Sequence, residues 1–144
     1  MKQSAKQKDV SSVEGLIAAS QDRQIQHIII SGQLANAPSF KLLPGQILEG
    51  ADEQASITFS PHINGLQLST DNTVHNIFLE TSPDRQAIFN DSGVESLGRL
   101  HLKKVRTIGQ VQILARGKVR GGHVDVEGLD VINAGLTDIL YQPQ

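Results

Sequence analysis

Three short apolar patterns recur together along this chain, and their shared interval constrains the fold more than any other feature. Ile57-x-Phe59 is followed by Ile77-x-Leu79, Leu100-x-Leu102 and Val124-x-Val126. A second row runs Leu66-x-Leu68, Ile88 and Val111-x-Ile113, and a third runs Val74, Val94 and Val119. Each step covers about twenty to twenty-five residues and lengthens toward the C-terminus, an interval typical of repeat architectures. The x-interrupted pairs alternate with the period of a strand rather than a helix. Several short strands per repeat specify a solenoid, whose coils stack about 4.8 Å apart so that like residues fall on like. The β-branched and leucine residues of the three rows then form its expected interior.

The 144 residues are expected to form one domain with a continuous core. A net charge of -2 with interspersed signs gives no electrostatic reason to expect nucleic acid. The exception is a basic stretch from Arg99 to Arg120 that contains Lys103, Lys104, Arg106, Arg116, Lys118 and Arg120. It reads first as solvated strand and turn residues, with Arg116 and Arg120 as candidates for holding an anionic substrate. Cysteine is absent, which excludes disulfides and thiolate metal sites. Met1 to Val10 is polar with no apolar segment behind it, and the longest purely apolar run is Ile28-Ile29-Ile30. Neither a signal peptide nor a membrane span is expected, so a cytoplasmic location is the default, or a secreted one if the chain is cut from a longer protein.

Residues 1–10 are expected to be frayed and residues 11–23 to form a capping helix. Ser11-x-x-Glu14 has the form of a capping box, and Val13, Leu16 and Ile17 follow it at helical spacing. From Gln24 to Asn133 strands of three to five residues alternate with turns of Gly, Asn, Asp and Ser, and residues 134–144 form a tail. The tail is too short for another coil. The last coil is therefore expected to self-associate or to meet a continuation or partner chain.

The stretch Gly65-Leu66-Gln67-Leu68-Ser69-Thr70-Asp71-Asn72-Thr73-Val74-His75-Asn76-Ile77-Phe78-Leu79 resembles a coil of the right-handed parallel β-helix proteins of the pectate-lyase-like superfamily. Leu42-Leu43-Pro44-Gly45-Gln46-Ile47-Leu48-Glu49-Gly50 is similar to the first coil after the capping helix in bacterial β-helix proteins of unassigned function. The resemblance spans about Ile28 to Asn133 and specifies architecture rather than chemistry. The expected fold is thus all-β, a right-handed parallel β-helix of about four coils with a short N-terminal capping helix. A leucine-rich repeat is the lesser alternative. It fails where its motif wants Asn or Cys and this chain has Ser82 and Val105.

The resemblance implies polysaccharide-active enzymes among its members, and polygalacturonase-like hydrolases carry acids on successive coils and a Gly-His element beyond them. Asp71, Asp91 and His123 are the matching candidates here. The paired aspartates are reduced to one, Gly-His-Gly becomes Gly-Gly-His, and the later Arg/Lys element is missing. Asp71-Asn72 and Asn90-Asp91 are also natural Asx turns, and that reading outweighs the catalytic one. A calcium-dependent lyase would draw on Asp125, Glu127 and Asp130, but calcium needs six to eight convergent oxygens. His27, His62, His75, His101 and His123 show no metal-ligand spacing. No metal and no cofactor is expected. With one tyrosine and no tryptophan, aromatic platforms for a sugar are scarce. The sequence therefore favours a non-catalytic β-helix scaffold or binding module, with a polysaccharide-active lyase or hydrolase as the alternative.

Overall fold

In the computed structural model, residues 6–90, 96–113 and 123–133 are described. In chain order they form β1 (Lys6–Val10), α1 (Val13–Ser20), β2 (Ile25–Ile30), β3 (Gln33–Ala37), β4 (Phe40–Lys41) and β5 (Ile47–Gly50). There follow β6 (Ser56–Phe59), β7 (Leu66–Leu68), β8 (Thr73–Glu80), β9 (Gln86–Asn90), β10 (Arg99–Ile108), β11 (Gln110–Gln112) and β12 (His123–Asn133). Parallel strands stack into a β-solenoid of about 5 turns. One sheet runs β1-β2-β5-β8-β10-β12 with β3 and β6 joining it at β8, and the other runs β11-β9-β7-β4.

The long strands explain how one sheet covers two sides. Asn76, Lys104 and Gly128 all have left-handed φ, at 57°, 55° and 76°. The flanking pairs His75↔Lys103↔Glu127 and Ile77↔Val105↔Leu129 place these three residues opposite one another. Each of β8, β10 and β12 therefore turns a corner at this column. Their first halves extend the side begun by β2 and β5, and β8 beyond the corner continues the side begun by β3 and β6. The smaller sheet closes the third side.

This corner corrects the first apolar row. In the structure Ile28, Leu48, Val74, Leu102 and Val126 form one column, while Ile57, Leu79, Thr107 and Val131 form another. Ile57 and Leu102 thus lie on different sides. Both sides carry x-interrupted apolar pairs, so alternation alone could not assign a pair to a side. The second row stacks as expected, with Leu66 against Ile88 and Ile88 against Val111. Of the third row, Val94 and Val119 lie outside the described residues.

The N-terminal end also differs from expectation. Lys6–Val10 is not frayed but pairs in parallel with β2, with Val10 opposite Ile30 and buried. Its backbone satisfies the open edge of β2, and its exposed Lys6, Gln7, Lys8 and Asp9 suit an edge strand that discourages further pairing. The helix cap is Ser12 rather than Ser11. Its Oγ accepts the Gly15 N–H at 3.0 Å, and Glu14 sits in the first turn, favourably placed against the helix dipole. Leu16 and Ala19 are buried, so the helix covers the start of the interior.

Two buried amides lock the first coils together. The Gln46 Nε2 donates to the carbonyls of Ala19 and Ile25 at 3.2 and 2.8 Å, and its Oε1 accepts the Leu43 N–H at 2.7 Å. One coil on, the Asn72 Nδ2 donates to the Leu43 and Gln46 carbonyls at 3.0 and 3.1 Å, and its Oδ1 accepts the Ser69 N–H at 2.6 Å. Both side chains are almost completely buried. Their full satisfaction makes a polar column tolerable inside an apolar stack.

Candidate functional site

Parallel stacking brings residues far apart in sequence onto one outer face. On the side formed by β2, β5 and the first halves of β8, β10 and β12, two carboxylates each sit between two imidazoles. The Glu49 Oε1 lies 2.6 Å from the His27 Nε2, and its Oε2 lies 3.5 Å from the His75 Nδ1. The Asp125 Oδ2 lies 3.3 Å from the His101 Nδ1 and 3.7 Å from the Arg99 Nη1. Its Oδ1 lies 2.8 Å from the His123 Nε2. The outward orientation expected of His101 holds. These groups tie neighbouring coils rather than converge on a point. His27 and His75 flank the Glu49 strand, so their backbones are two strand spacings, about 9.5 Å, apart. Among the described residues no group of three or more His, Cys, Asp or Glu side chains is arranged to hold a metal ion.

Asp71 is a turn residue with φ 54°, and its Oδ1 accepts the Arg99 N–H at 2.9 Å. A Cβ on Gly98 would come within 2.2 Å of that same oxygen, so the carboxylate is seated against the next coil's backbone. His123 is opposite Arg99 on the coil beyond. Asp71 and His123 therefore lie on either side of the Arg99 coil, and each engages another group. Asp91, Arg116 and Arg120 lie outside the described residues. The acids considered for calcium are divided by the corner. Asp125 and Glu127 precede Gly128, Glu127 pairs with Lys103 at 3.7 Å, and Asp130 follows the corner opposite Arg106.

The corner itself carries a groove of about 500 Å³. Asn76, Phe78, Lys104 and Arg106 line its middle, with Glu53 from the β5–β6 turn and Asp130 from β12 at its two ends. The Arg106 guanidinium carbon lies 5.2 Å from the Phe78 ring centroid. The ring therefore supports the cation instead of offering a bare face to a sugar. In the sequence Lys104 and Arg106 read as solvated basic residues, with nothing to set Phe78 beside them. The Phe78↔Arg106 register carries the contact, and the repeat rows had assigned a different register.

Among the described residues no helix is long and apolar enough to cross a membrane. A scan against protein-family models, a search of curated proteins and a search of solved structures each found no match for this chain.

Proposed function

We propose that this chain is a non-catalytic β-helix module, a scaffold with a binding surface, and that it has the right-handed, pectate-lyase-like architecture its sequence resembles. The observation that carries this reading is the engagement of Asp71, the catalytic acid candidate among the described residues, and of the outer-face carboxylates Glu49 and Asp125. Asp71 holds the Arg99 N–H, Glu49 lies between His27 and His75, and Asp125 lies among His101, His123 and Arg99. The acids at the ends of the groove are also badly placed as a pair. Three strand spacings separate the coil of Glu53 from that of Asp130, about 14 Å along the axis, beyond the separation of roughly 5–9.5 Å used in glycoside hydrolysis.

Self-association through the last coil belongs to the same proposal. Val124, Val126, Val131 and Ile132 on β12 are 41, 52, 39 and 52% exposed, although Val126 continues a column whose earlier members are buried. A polysaccharide-active lyase or hydrolase is the competing class. The test is to incubate the protein with polygalacturonate and pectin, following new reducing ends and unsaturated product. The expected result is no turnover, for the parent and for Asp71→Asn alike. Turnover that is lost in Asp71→Asn or His123→Ala would overturn the proposal.

A further inference from the structure

We infer that the corner groove binds a single oxyanion, the carboxylate or phosphate of a small polar ligand, between Arg106 and Lys104. The inference deepens the binding-surface reading and rests on it. Three features of the groove support it.

The first is the state of Arg106. Its register partner across the sheet is Asp130, yet its guanidinium stacks over Phe78 on the opposite neighbouring strand. Among the described residues, neither Arg106 nor Lys104 has a carboxylate within ion-pair distance. The cations Arg99 and Lys103 on the adjoining side, by contrast, are paired with Asp125 and Glu127. A guanidinium supported on an aromatic face keeps its planar fork of N–H donors available for two parallel bonds to an oxyanion.

The second is the backbone of Lys104. The corner column holds Asn76, Lys104 and Gly128, all at left-handed φ. Glycine and asparagine adopt that conformation readily, whereas lysine does so at a cost. A lysine at this strained position puts a second cationic side chain into the groove lining, two residues before Arg106 on the same strand. The neighbouring Gly128 carries no side chain to obstruct it.

The third is the distribution of charge. The two cations are central, and Glu53 and Asp130 stand at the ends. A long polyanion would bring charge against both end carboxylates, while one oxyanion meets only the cations. The groove volume of about 500 Å³ lies within the range of small-ligand sites, roughly 300–1,000 Å³.

The experiment titrates the full chain separately with inorganic phosphate and with acetate, following backbone amide shifts. Saturable shifts confined to Asn76–Phe78 and Lys104–Arg106 are expected with at least one anion, and the tighter of the two identifies the source of the oxyanion. Arg106→Gln should weaken binding about tenfold, the loss expected for a charge-assisted bond. Lys104→Asn should weaken binding while raising the melting temperature, because asparagine suits the left-handed position. A merely structural role for Lys104 would leave binding unchanged. Lys103→Gln removes the same charge one residue away and should leave the affinity unchanged. Absence of saturable groove shifts, equal weakening by Lys103→Gln, or tighter binding of polygalacturonate than of either single anion would overturn the inference. Turnover of polysaccharide would defeat the non-catalytic reading without altering these titrations, so the two can fail separately.

Discussion

The column Ile28–Leu48–Val74–Leu102 starts at β2, which β1 and α1 cover, whereas its last member among the described residues is a half-exposed Val126. The first end is closed at three levels. β1 adds a polar edge strand, α1 buries Leu16 and Ala19, and Gln46 bonds the carbonyls that leave the helix to the next coil. The last coil shares the strand pairing and the inward pattern, but among the described residues its strand β12 is paired on one side only, by β10. The same residue type in the same column is therefore worth different amounts. Full burial of a leucine or valine contributes about 1.5–3 kcal/mol, and a half-exposed one only a part of that.

The largest expected effect separates the interior of this column from its last described member. Leu102→Asp would bury an unpaired carboxylate between coils and cost more than about 4 kcal/mol, enough to unfold a domain of ordinary stability. Val126→Asp, one coil further, should cost no more than about 1 kcal/mol, since its carboxylate reaches water. Equal losses in denaturant melts would show that Val126 is as firmly enclosed as Leu102. Gln46→Leu comes next. It would remove the side-chain partner of the Ile25 carbonyl and the Leu43 N–H and one of the bonds to the Ala19 carbonyl, costing about 2–4 kcal/mol and releasing the helix from the first coil. A matching loss of helical signal by circular dichroism at moderate temperature would place the damage there.

Smaller effects sharpen the comparison at β12. The double change Val124→Ser and Val126→Ser should reduce concentration-dependent association in sedimentation while lowering stability by only about 1 kcal/mol. Unchanged association would exclude this face as the contact. The smallest effect expected is on the outer face, where Glu49→Gln should cost about 0–1 kcal/mol, because its two imidazole contacts are partly exposed.

Much of this architecture was legible in the sequence, and the parts that were not share a cause. Leu66, Ile88 and Val111 stack as the repeat predicts because the small sheet has one strand per coil and no corner within it. The first row was misregistered because β8, β10 and β12 each cross a corner, and the residue that makes the turn in β10 is a lysine. Gly and Asn advertise left-handed backbone, whereas Lys104 does not. Gln46 and Asn72 were unreadable for a different reason. A polar residue between turns is ordinarily solvated, and only the stacked coils reveal that their amides are enclosed by carbonyls. The groove depends on register in the same way, since Phe78 and Arg106 meet only once β8 and β10 are aligned.

Native-state hydrogen exchange tests the difference between the ends most directly, by comparing amides of β5 that bond its neighbouring strands with those of β12 that bond to β10. The asymmetry predicts that the β5 amides near Leu48 exchange only through global unfolding. The β12 amides near Val126 should instead exchange through a lower-energy opening that leaves the rest of the solenoid intact. Protection around Val126 equal to that around Leu48 would contradict it, since the last coil would then be as firmly held as the first.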